Sequence, residues 1–226
     1  MIIKPHWNKH SIIFKEGDIS KYSDDKSIYI EDFFNTKVDL SLFENIEYLY
    51  GYYNQMKNLD KADTLEYLSI LGYKDVRKEI SKLLKLQGLV LTKCNVINLA
   101  FLNSLKKLER IELNYFRRLT DISDLANISA TLKELEIRSC KKINNLEKTL
   151  IKLKNLHSLK LLNCKLESLD WIKELPNLKN FVFMDSNVVS GDISPAAHIE
   201  YVAIDNKRHY NYKFDQDLKK IVPKKS

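Results

Sequence analysis

Apolar residues return along the chain in a fixed motif. From Leu156 to Leu175 the order is Leu156, Leu159, Leu161, Cys164, Leu166, Leu169, Ile172 and Leu175, with Pro176 directly after. Leu159 and Leu161 are two apart, the period of a short strand with one buried face. Past Cys164 the spacing becomes three, which suits a 3-10 or helical return. One such coil leaves its apolar side uncovered, so it needs copies of itself above and below.

The copies begin at Ile46, Leu65, Leu86, Leu108, Leu132, Leu156, Leu178 and Ile199, at intervals of 19 to 24 residues. Their fourth and sixth positions are Leu49/Gly51, Leu68/Ile70, Leu89/Leu91, Ile111/Leu113, Leu135/Ile137, Leu159/Leu161, Phe181/Phe183 and Val202/Ile204. Gly51 alone departs from apolar. The motif L-x-x-L-x-L-x-x-C-x-L-x-x-L resembles the leucine-rich-repeat family, in its short form of about 22 residues. The resemblance runs from about Ile28 to Asp205 and is strongest from Leu86 to Phe183. It implies an α/β solenoid, with a curved parallel sheet on the concave face and helical or 3-10 segments on the convex face.

Three parts follow from the pattern. Residues 1–45 form an N-terminal cap with degenerate strands, of which Ser11–Phe14 and Ser27–Phe33 are the strand-like pieces and Ile28–Ile30 a degenerate first strand. Residues 46–206 form a solenoid of about eight repeats. Residues 207–226 form a C-terminal cap and basic tail, in which Leu218, Ile221 and Val222 predict a short capping helix over Asp215–Val222. In the return between Asp75 and Lys85, Val76, Ile80, Leu83 and Leu84 predict an amphipathic helix.

Little catalytic chemistry can be assembled. Five glycines supply no phosphate-cradling loop or nucleophile elbow. His6 and His10 are four apart but lack the flanking Glu of a zinc helix, and Pro5 opposes a helix there. Cys94, Cys140 and Cys164 share the ninth repeat position, as does Asn54, and read as an inward structural column rather than a metal site. The expectation is a protein that is not an enzyme, with no cofactor and no metal. No apolar run is long enough to span a membrane, and Met1–Trp7 meets Lys4 and His6 before any apolar core of a signal peptide forms. With only three cysteines, a cytoplasmic location is expected.

In this register, positions three, five, seven and eight look outward from the inner sheet or its rim. The candidate partner-binding residues there are Tyr48, Tyr50, Tyr52 and Tyr67 at the N-terminal end. Arg110, Glu112, Glu134, Glu136, Arg138 and Lys160 occupy the centre, and Met184 lies toward the C-terminal end. Aromatic and arginine anchors are typical of protein interfaces. Two readings of the tyrosines stay open: exposed anchors, or packing beneath the cap.

Charge weighs between partners. The chain carries a formal +7, yet the outward positions hold four bases (Lys93, Arg110, Arg138, Lys160) against five acids (Glu112, Glu134, Glu136, Asp185, Asp205). The excess base is expected on the convex returns and termini, at Lys106, Lys107, Arg117, Arg118, Lys141, Lys142, Lys152, Lys154, Lys219 and Lys220. A face without a continuous basic track argues against nucleic acid. The expected role is a protein-binding module, with small bacterial immunity proteins that neutralise a toxin as the narrower analogy. The alternatives are a scaffold docking an acidic partner, and a nucleic-acid-associated protein using the convex bases.

Overall fold

The computed structural model describes residues 12–13, 24–30, 37–72 and 77–224. Ten parallel strands lie side by side in chain order. They are β1 (Ile12–Ile13), β2 (Ser27–Ile30), β3 (Tyr48–Tyr52), β4 (Tyr67–Leu71) and β5 (Gly88–Thr92). After these come β6 (Arg110–Asn114), β7 (Glu134–Arg138), β8 (Ser158–Leu162), β9 (Asn180–Met184) and β10 (Tyr201–Ile204). Short returns join them, mostly short 3-10 helices such as Ala100–Ser104, Ser123–Ile128 and Asp170–Glu174. This is a leucine-rich-repeat solenoid of α/β class.

The register follows the motif without a slip. Leu49, Leu68, Leu89, Ile111, Leu135, Leu159, Phe181 and Val202 are successive cross-strand neighbours. None of the eight exposes more than 2% of its surface. A one-residue slip would send that whole column to solvent, so burial fixes the pairing. Gly51 breaks the apolar pattern because its neighbour in β2 is too close. A Cβ there would sit 2.4 Å from the Ile30 carbonyl oxygen. In the returns, Leu166, Leu169, Ile172, Leu175 and Leu178 are all buried, as three residues per 3-10 turn requires.

The returns are less helical than the periodicity predicts. The described part of the Asp75–Lys85 helix is α1 (Arg77–Ile80), one turn long, and Val76 lies outside the described residues. The helix α2 (Leu146–Leu150) is one turn as well. An α-helix with its side chains is about 10–12 Å across against about 4.8 Å between strands, so short, slender returns stack with less splay.

The expected capping helix over Asp215–Val222 is a hairpin instead. Strands β11 (Tyr212–Asp215) and β12 (Lys220–Pro223) pair antiparallel. Asp215 Oδ1 accepts the N–H groups of Asp217 and Leu218, and Lys219 turns through a left-handed φ of 52°. Leu218 is 62% exposed while Ile221 is buried, so the apolar residues alternate rather than share a helical stripe. The Lys219 carbonyl accepts the Val202 N–H, bringing the hairpin against the last sheet strand.

Candidate functional site

Strands β5 to β9 end in the same turn. The eighth-position residues Lys93, Tyr115, Ser139, Asn163 and Asp185 all take φ between 54° and 59°. Four of them give their N–H to the seventh-position carbonyl of the next repeat: Lys93 to Asn114, Tyr115 to Arg138, Ser139 to Leu162 and Asn163 to Met184. Side chains with a Cβ disfavour this conformation by roughly 1–2 kcal/mol. The turn drives the ninth residue inward. Cys140 Sγ lies 3.3 Å from the carbonyls of Arg138 and Leu113, and Cys164 Sγ approaches those of Leu162 and Ile137 at 3.6 and 3.9 Å. Ser186 Oγ repeats the arrangement with Met184 and Leu161, at 2.8 and 3.3 Å. The column therefore takes thiol, hydroxyl or, at Phe116, a buried aromatic ring. Burial pushes the Cys140 thiol up to about 11 and the Cys164 thiol up to about 12. Asn54 does not join the column. It is exposed because Tyr53–Gln55 forms a 3-10 turn, leaving Met56 as the buried residue.

The outward positions of the strands separate into three zones. In the first, Tyr48 and Tyr67 stack with centroids 5.1 Å apart and planes 4° from parallel. The Tyr67 ring lies over Gly88, where a Cβ would stand 2.4 Å from the ring. Tyr50 stacks on Tyr29 of β2 at 4.8 Å and is 39% exposed, while Tyr48, Tyr52 and Tyr67 are half-buried. Burial raises the Tyr48 and Tyr67 phenols above their ordinary value, keeping them neutral. Tyr52 stands apart from the stacks, in the seventh-position column beside Leu71, and lines a groove with Tyr53 and Lys93. Tyr29 was not among the predicted residues. The fifth position of the degenerate repeat at Ile28 would have located it.

In the second zone the six central charges pair with one another. Arg110 binds Glu112, and its Nη1 lies 3.4 Å from Glu134. Glu136 takes Arg138 at 3.1 Å and Lys160 at 3.4 Å. Glu112 and Glu136 are direct cross-strand neighbours, a repulsive placement that the flanking cations neutralise. Beside them Asn114 is 9% exposed, and its Oδ1 accepts no hydrogen bond among the described residues. In the third zone Met184 is the neighbour of Leu162 and continues a half-exposed apolar column, apart from the charged centre.

The excess base is not distributed as expected. Arg117, Arg118, Lys141 and Lys142 follow the left-handed turns, before the returns begin, and so lie on the downstream rim of the sheet rather than the convex face. The periodicity counts residues between strands but does not say where the chain turns. Among the described residues no group of three or more His, Cys, Asp or Glu side chains is placed to hold a metal, and His6 and His10 lie outside them. No described helix is long and apolar enough to cross a membrane.

Solved structures share this architecture. Internalin InlF of Listeria monocytogenes superposes with a TM-score of 0.57 at 21% identity, covering 74% of this chain and 49% of that one. Internalin C2 from the same organism gives 0.55 at 21% identity, covering 78% and 80%. The chain thus spans about half the length of the InlF structure. No curated protein sequence matches it. The sequence profile of the family described as At1g61320/AtMIF1, LRR domain, matches residues 78–224. The matched span is well over half of the chain, and with the unbroken register of its repeats the chain belongs to the leucine-rich-repeat family.

Proposed function

We propose that this protein is a non-catalytic binding module that recognises a protein partner on its sheet face. The observation that carries the reading is the pairing of aromatic stacks with a self-neutralised charged centre on one rigid parallel sheet. Tyr48, Tyr50 and Tyr67 offer large side chains already held in place by stacking, so little entropy is lost when they bind. The Arg110–Glu134 and Glu136–Lys160 pairs present an ordered polar pattern, which serves specificity and register more than affinity. Leucine-rich repeats generally mediate protein–protein contacts, in accord with this reading.

The narrower reading, a bacterial immunity protein that neutralises a toxin in the cytoplasm, rests on small size and repeat content alone. Neither the family match nor the internalin folds add to it. Affinity capture from the native host, with wild type and a Tyr50→Ala/Tyr67→Ala variant as parallel baits, tests the sheet face. A partner held by wild type should bind the variant at least about 2 kcal/mol more weakly. A partner held equally by both would remove the tyrosine end from the site.

A further inference from the structure

We propose that the downstream rim is a second docking surface, for an acidic polypeptide segment carrying apolar side chains. It is independent of the sheet-face reading. Over four successive repeats the residues just past the strands supply Lys93, Arg117, Arg118, Lys141, Lys142 and Lys165, all exposed. The acids beside the row are Glu167, 3.8 Å from Lys165, and Asp185 at its C-terminal end. The other five cations make no side-chain ion pair or hydrogen bond among the described residues.

The opposite, upstream rim is mixed: Lys26 pairs with Glu47 at 2.6 Å, Lys133 with Glu109 at 2.8 Å and Lys154 with Glu174 at 3.0 Å, while Lys85, Lys107 and Lys179 are exposed and have no side-chain partner among the described residues. On the sheet face Arg110, Arg138 and Lys160 are paired as well. A row of unpaired cations at the strand spacing generates a positive potential that attracts an anionic partner.

The rim is not purely polar. Ile97 is 48% exposed, Tyr115 45% and Val189 45%, and all three lie on the loops that carry or follow the basic row. Between the repeats of Lys141 and Lys165 a groove of about 400 Å³ opens, with Ile143, Leu146 and Cys164 among its walls and Lys207 at its far side. Cations around a partly apolar groove fit carboxylates flanking a leucine- or phenylalanine-sized side chain.

Magnitudes separate a peptide from a nucleic acid. The four repeats span three strand spacings, about 14 Å, which an extended peptide covers with about four residues. Single-stranded nucleic-acid grooves accommodate about 4–16 nucleotides and stack successive bases on aromatic rings. This rim offers one exposed ring, Tyr115, too few to stack successive bases.

The test is panning of a displayed random twelve-residue peptide library on the full chain. Binding of the selected peptides is then measured by fluorescence anisotropy, with a twelve-nucleotide single strand as competitor probe. Selected peptides should combine Asp or Glu with an apolar residue. They should bind an Arg117→Glu/Lys141→Glu variant at least tenfold more weakly. A Lys106→Glu/Lys107→Glu variant, equal in charge change but on the upstream rim, should bind them as wild type does. A single cooperative thermal transition in each variant establishes that both are folded. Failure to enrich any peptide, enrichment of peptides without acids, equal loss in both variants, or tighter binding of the oligonucleotide would each overturn the proposal.

Discussion

The sheet face and the downstream rim are both charged, but their charges are handled in opposite ways. On β6, β7 and β8 three cations and three carboxylates interlock, and Glu136 is only 8% exposed. A few residues further along the same repeats, Arg117, Arg118, Lys141 and Lys142 project into water with no counter-charge among the described residues. The difference comes from the backbone. Within the sheet, cross-strand neighbours share one flat register, so a charge on one strand needs an opposite charge beside it. Past the left-handed turn the chain leaves that register, and like charges are tolerated because solvent screens them. The face keeps its polar pattern whether or not a partner is present. On the rim, charge is left over for a partner.

Both regions rest on one core, and breaking it gives the largest effect. Leu135 lies beneath the paired charges and is 2% exposed; Leu159, its neighbour in β8, is fully buried. Either Leu→Ala change should cost about 2–5 kcal/mol in denaturant unfolding, through lost transfer energy and the cavity left behind. Because neighbouring repeats share the core, face and rim should unfold in one transition. A midpoint unaffected by both substitutions would contradict the register.

The face should then prove more fragile than the rim. Glu136→Gln leaves Arg138 and Lys160 facing each other without their shared acid, and should destabilise by about 1–3 kcal/mol. That is below the cost of orphaning a fully buried charge, because both cations reach water. Lys141→Gln on the rim has no pair to lose and should leave the denaturant midpoint unchanged. Equal losses from the two changes would erase the contrast between the regions.

The strand columns were legible in the sequence because burial on one face imposes a strict two-residue period, from Leu49 through Val202. The candidate face was legible to the same extent: Arg110, Glu112, Glu134, Glu136, Arg138 and Lys160 do fall together. Their mutual pairing was hidden, since it depends on which strands are adjacent and how the side chains lean. The C-terminal hairpin is not legible in the sequence, because Leu218, Ile221 and Val222 match a helical stripe and only the Asp215 turn decides otherwise. Arg117 and Lys141 were placed on the convex side because spacing alone does not reveal the recurring left-handed turn at Tyr115 and Ser139.

Below both regions the ninth-position column gives a pH signature. The Cys140 and Cys164 thiols are held by burial at about 11 and about 12, against about 8.5 in an unfolded chain. Below the unfolded value both states keep both protons and the column contributes fully. As pH rises past it, the unfolded chain ionises first and binds fewer protons, so stability falls until the folded thiols ionise too. The loss should be at most about 1.4 kcal/mol per thiol per pH unit between about pH 9 and 11. Tyr48, Tyr67 and Tyr210, also raised by burial, add to it at the alkaline end. Cys140→Ser/Cys164→Ser should keep the fold, since Ser186 already fills the equivalent position with the same carbonyl contacts, and should flatten the slope above pH 9. An unchanged slope in the double variant would mean that the thiols are not the titrating groups.

The smallest effect sharpens the comparison most directly, because salt acts on the two regions with opposite sign. Added salt weakens attraction between the paired charges of the face and relieves repulsion along the rim. Partly buried pairs such as Glu136 with Lys160 are screened less than exposed cations, so the rim should dominate. The thermal midpoint of the wild type should therefore rise slightly from low salt to about 0.15 M, where the Debye length has shortened to about 8 Å, still longer than the roughly 4.8 Å between strands. Arg117→Gln/Lys141→Gln removes two adjacent unpaired cations and should reduce that rise, while lifting the low-salt midpoint toward the value wild type reaches in salt. Glu136→Gln should enlarge the rise, since it turns the face into a second cluster of unpaired cations. A wild-type midpoint that falls with salt would show instead that the paired face, not the unpaired rim, sets the electrostatic balance of the folded chain.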